Sequence, residues 1–198
     1  MQYVSDFLYD VADSLVNHPA LFTYCVLFLF ALPASSAEVS PYSGEESREI
    51  KALSESEIAG LMTGKGMGYA MAAELNGYPG PKHVLELADE IDLSSEQREQ
   101  TQAVFARMEA SAKALGSGLV NAERALDLMF REGTVTPGSL AAALSQIGAL
   151  QSELRGVHLQ AHLEQVRILE KGQVARYMEL RGYGDESHAD HSHHDRDR

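Results

Sequence analysis

An all-α fold is expected here: a long antiparallel helical hairpin with short flanking helices, with a dimer as its expected assembly. Three features predict it. Apolar residues recur at steps of three and four along two long stretches, a short turn with Gly and Pro separates those stretches, and each opens on a helix-capping signal.

Taken in order, residues 38–53 contain Ser, Glu and Pro without periodicity and read as a mobile linker. A short helix fits within residues 54–76, broken at Thr63-Gly64-Lys65-Gly66-Met67-Gly68. That run has a Gly-Lys pair without the spacing that wraps a phosphate, so it reads as a flexible break. Asn76-Gly77-Tyr78-Pro79-Gly80-Pro81 is a hard stop, and Pro81 suits the first position of the next short helix.

Ser94 with Gln97 makes a capping box, the hydroxyl accepting from the Gln97 amide while the Gln97 side chain reaches back. The helix it opens carries a seam of Val104, Met108, Ala112, Leu115, Leu119, Ala122, Leu126 and Met129. Gly133 suits its end, and Thr136-Pro137 the next cap and first turn. Leu140, Leu144, Ile147, Leu150, Leu154, Val157 and Ala161 form the returning seam. So short a connection forces an antiparallel pair. A last short helix is expected near Glu170–Leu180, ending at Gly182-Tyr183-Gly184.

Composition narrows the function. The 198 residues include 29 acidic and 16 basic side chains, for a net charge of −13, which argues against binding nucleic acid and suits binding cations. Between residues 82 and 182 the basic and acidic residues are close to balanced, so no strongly basic surface is evident.

Residues 1–37 read as an atypical signal peptide. Ala20–Leu32 is a largely apolar run too short to span a bilayer, followed by small residues at Ser35 and Ala37. The basic start of such signals is missing, and an uncleaved anchor or a buried helix are the alternatives. Export would make the chain periplasmic. Cys25, the sole cysteine, lies inside the apolar run, so a cleaved chain would hold a metal only through His, carboxylate or Met.

Leu93-Ser94-Ser95-Glu96-Gln97 resembles the L-T-x-x-Q motif of the Spy/CpxP family of periplasmic proteins. Leu169-Glu170-Lys171-Gly172-Gln173 stands at the place of the family's second copy, with Glu170 where Thr is usual. The order of short helix, motif, long hairpin, motif and short helix is also similar, over residues 82–184. The resemblance implies one of two roles. One is an ATP-independent chaperone, dimeric, with a concave face for unfolded clients. The other is a heavy-metal resistance or sensor protein, with ligands on the short helix before the first motif and on the helix before the second. His83 occupies the first location and His162 the second, with Val166 where the family has Met and Glu109 the acid nearest the family's carboxylate position.

Read by themselves, His158 and His162 put two imidazoles one helical turn apart, a two-point clamp for zinc, nickel, cobalt or copper, with His83 and Glu86 to complete it. Half-buried structural histidines are the alternative. Residues 185–198 form a His/Asp-rich tail that reads as flexible, in which His188, His191, His193 and His194 could gather the same ions. Met62, Met67 and Met71 offer soft thioethers that would suit cuprous copper, but core packing or helix filling is the reading the sequence favours for them. No catalytic motif stands out: G-x-S-x-G and H-E-x-x-H are both missing, and an enzyme is not expected. The expected function is therefore a periplasmic, homodimeric protein that binds a divalent transition metal in metal or envelope stress. A chaperone, or a regulatory partner of a membrane sensor, is the alternative.

Overall fold

A computed structural model describes residues 39–183. The expected signal segment, with Cys25, and the tail carrying His188, His191, His193 and His194 lie outside the described residues. By its contacts the chain divides after Ser43, and the described helices lie in the unit that begins at Gly44.

These helices are α1 (Glu55–Met62), α2 (Met71–Glu74), α3 (Pro81–Glu86), α4 (Ser95–Arg131), α5 (Pro137–Ile168) and α6 (Lys171–Leu180), preceded by a 3-10 turn at Glu45–Ser47. The described residues contain no strand. None of the described helices is long and apolar enough to cross a membrane. The fold is all-α, and α4 and α5 pack along one another as the expected hairpin.

Each long helix starts where its cap chemistry dictates. The Ser94 hydroxyl accepts from the Gln97 amide (3.1 Å) and Gln97 Oε1 accepts from the Ser94 amide (3.1 Å). Thr136 and Ser139 exchange the same pair of bonds ahead of Pro137. Gly133, at φ +65°, supplies the left-handed residue that turns the chain after α4. The α4 helix of 37 residues and the α5 helix of 32 extend about 55 and 48 Å at the usual rise of ~1.5 Å per residue.

Along the seam Val104, Ala112, Leu119 and Ala122 are buried against Ile147, Leu154 and Ala161. Leu144 departs from the expected pattern: it is 52% exposed, near the turn where only two helices meet and nothing described covers their outer faces. The stretch read as a linker also differs from Gly44 onward. Ile50 is fully buried in the core with Leu61, Leu119 and Leu154, while Glu49 pairs with Arg124 (2.9 Å) and Lys51 reaches Asp127. One apolar side chain per turn anchors such a segment without leaving a readable period.

A second apolar cluster closes the other end of the hairpin, built from Val84, Ala88, Ile91, Leu93, Leu169 and Tyr177. The two glutamines of the repeated motif meet there. Gln97 Nε2 donates to Gln173 Oε1 (2.8 Å) and Gln173 Nε2 to Gln97 Oε1 (3.0 Å). Each amide also donates across to backbone carbonyls, Gln97 to Ile168 and Gln173 to Ile91. Gln173 Oε1 accepts from the Glu170 amide as well, so α6 keeps this half of the cap with Glu in place of Thr. The motif thus ties the start of α4 to the start of α6.

Helix α1 lies against α4 at Gly116, where an added Cβ would collide with the Leu61 carbonyl. Gly116→Ala is expected to lower stability by about 1–3 kcal/mol through overpacking. Gly148→Ala, on an open face of α5 with nothing within 4 Å, should leave stability unchanged or raise it by up to about 1 kcal/mol. Urea midpoints of the two variants check the contrast.

Candidate metal-binding cleft

The short helices and their loops pack against the hairpin around a cleft of about 710 Å³. Its walls carry Glu74, His83, His162 and Arg181 beside the apolar Met67, Met71, Phe105 and Met108. Glu74 organises the polar end. It ends α2 and is only 8% exposed, so its carboxylate requires partners. The Gly80 amide donates to its Oε2 (3.1 Å), and the hydroxyl of fully buried Tyr177 donates to its Oε1 (2.5 Å). Arg181 Nε stands 3.5 Å from Oε1. The Tyr177 phenol is pushed above its ordinary pKa by burial and by the carboxylate beside it, and so stays a donor.

Two histidines close on the same carboxylate. His83 on α3 brings Nδ1 to 3.7 Å from Oε1, and His162 on α5 brings Nδ1 to 3.7 Å from Oε2. His162 Nδ1 lies 2.7 Å from the Tyr78 carbonyl oxygen. A carbonyl can only accept, so Nδ1 carries the hydrogen, and Nε2 of the neutral ring keeps its lone pair. Gly80 makes this possible, since a Cβ there would stand 3.0 Å from His162 Nε2. Below His162, Gln165 and Thr101 are fully buried and share a bond of 3.0 Å across the hairpin.

The arrangement has the donor types of a transition-metal centre: two imidazoles and one carboxylate, with the His162 tautomer set by a backbone carbonyl. Burial, with Arg181 nearby, holds the His83 pKa below its usual value against the pull of Glu74, so the ring is neutral as a ligand must be. In the structure Glu74 is committed to its protein partners. Among the described residues no group of three or more His, Cys, Asp or Glu already stands in ligating geometry.

Of the residues singled out from the sequence, His83 and His162 come together here. His158 does not share their surroundings: it is 3% exposed and stacked on Tyr69, with centroids 5.9 Å apart and planes 7° apart. The two-point clamp therefore divides, His162 facing Glu74 and His158 facing Tyr69. Glu86 is exposed beside Lys82 (3.7 Å). Glu109 lines the cleft but pairs with Lys113 (3.3 Å). Glu74, Tyr177 and Arg181 are the residues that the sequence did not single out. Comparison with known proteins yields no match, whether to a family model, to a curated protein or to a solved structure.

Tyr177→Phe removes one donor from a buried carboxylate and should cost about 1.5–3 kcal/mol in a urea titration. Burial, and then the neighbouring His162, depress the His158 pKa. The unfolded chain therefore takes up this proton near pH 6.5 while the folded chain resists it. Stability is then complete above about pH 6.5 and lost as pH falls below it. Urea midpoints between pH 7.5 and 5 should fall for the unaltered chain and fall less for His158→Phe, which keeps a ring against Tyr69.

Proposed function

We propose that this chain is a heavy-metal-binding protein of the exported Spy/CpxP type, acting as a homodimer in metal or envelope stress. The convergence of His83 and His162, from two different helices, on buried Glu74 carries the reading. A divalent zinc, nickel, cobalt or copper ion suits two imidazoles and a carboxylate. When bound, such an ion would supply charge and coordination strong enough to draw Glu74 from its present partners. His162 would offer Nε2, the nitrogen beside Gly80, because the Tyr78 carbonyl holds the hydrogen on Nδ1, the nitrogen nearer Glu74. An ion shared by the two therefore requires the carboxylate to swing toward Nε2. Arg181 and Tyr177 hold the Glu74 carboxylate from the side of α6, between the two histidines. The pairing of Gln97 with Gln173 gives the repeated motif one structural task and supports the family reading.

A chaperone reading has its own observation. Leu128, Phe130 and Leu144 are 41%, 58% and 52% exposed around the tip of the hairpin. They would suit an unfolded client, or the second copy of a dimer.

Calorimetric titration with zinc, nickel, cobalt and cupric ions tests the metal reading. The full chain should show a site that His162→Ala removes and His83→Ala weakens at least tenfold. That site should persist when the four tail histidines become alanine. Binding that ignores both helical substitutions and vanishes with the tail histidines would overturn the folded site, and client-aggregation assays would then decide for the chaperone.

A further inference from the structure

The cleft has a second kind of donor. Packing would hide Met67 and Met71, yet they are 44% and 59% exposed, and both line the cleft that holds His83. Met108 lines it from α4. Met67 also takes an uncommon conformation: its φ of +43° is left-handed, in a loop where Gly64 and Gly68, at +68° and +82°, are the residues suited to that region. A side chain kept where glycine would be at ease points to a use for that side chain. Its sulfur nests over Gly60, where a Cβ would stand 2.5 Å from Sδ, so the glycine makes room for the thioether. The Met71 methyl lies near Gly68, in ordinary contact at 3.7 Å from the Cβ position.

Neutral thioethers and an imidazole lining one cleft are soft donor types, which prefer cuprous copper or silver to the harder divalent ions. Charge argues in the same direction. Glu74 is already paired with Arg181 and Glu109 with Lys113, so both carboxylates on the cleft wall have a counter-charge. Its wall beside the methionines is apolar, with Ala70, Leu75 and Phe105. Desolvation cost rises with the square of the charge, so a singly charged ion is penalised about a quarter as much as a doubly charged one.

We propose that Met67 and Met71, with His83, form a binding site for a soft monovalent cation, cuprous or silver ion, on the wall of the cleft. The proposal rests on reading the cleft as a metal site; it shares His83 with that reading and differs from it in the thioether ligands and in the ion.

Silver ion is the probe, because it is redox-inert. The protein is the full chain carrying Cys25→Ser, with the four tail histidines changed to alanine, so that the methionines supply the remaining sulfur ligands. Its methionines are labelled with carbon-13 at the methyl. Silver should shift the Met67 and Met71 methyl signals at one equivalent, and Met67→Leu with Met71→Leu should weaken silver binding at least tenfold by calorimetry. Leucine preserves volume, and an unchanged urea midpoint shows that the fold is intact. Zinc affinity should be unchanged in the double variant. Silver binding that leaves both methyls unmoved, or that the double variant retains, overturns the soft site even if zinc still binds. Silver shifts without any zinc binding would overturn the divalent reading and leave this one standing.

Discussion

A buried carboxylate cannot stand alone, and Glu74 shows how much of a fold one such group can organise. Taking an ionised carboxylate out of water costs several kcal/mol unless hydrogen bonds and a counter-charge offset it. Here they come from Gly80 in the loop before α3, from Tyr177 on α6 and from Arg181 just beyond it. Those partners lie in segments far apart along the chain, so satisfying Glu74 requires α6 to return to the loop between α2 and α3. The histidines on α3 and α5 are drawn into the same small volume. The contacts that satisfy Glu74 are therefore also the ones that bring the candidate site together.

The hairpin provides the rigid part of this arrangement. Its seam of small and branched side chains sets the register of α4 against α5, and the buried bond between Gln165 and Thr101 adds a polar constraint one turn from His162. Helices α1, α2 and α3 are short and could not hold a site unaided. They do so by packing on the hairpin: Leu61 against Gly116, Gly80 against His162 and Val84 in the cluster closed by Tyr177. The paired glutamines close that end and place α6 where its Tyr177 can reach Glu74.

The same packing explains a division of labour along the molecule. Toward the closed end, buried polar groups converge on the cleft that carries the metal proposal. At the turn, only two helices meet among the described residues, and Leu128, Phe130 and Leu144 are exposed. The two functional readings thus attach to opposite ends of one hairpin and can be separated by substitutions that do not touch each other.

Periodicity and caps determined the architecture by themselves. Ser94 with Gln97, Thr136 with Pro137 and the recurring apolar steps are local signals, and local signals suffice for helices and for a hairpin joined by a short turn. His83 and His162 were legible as metal-ligand types at telling positions. Glu74 was not, because one acid at the end of a short, irregular stretch looks like any solvated carboxylate. Only the return of Tyr177 and Arg181 buries it. The separate surroundings of His158 and His162 were not legible for a related reason. One helical turn of spacing fixes two side chains on roughly one face, but the stack on Tyr69 and the bond to Tyr78 decide where each ring turns. Backbone pattern follows from neighbours in the chain, whereas charge burial, tautomer and side-chain direction follow from neighbours in space, which only the tertiary structure brings together.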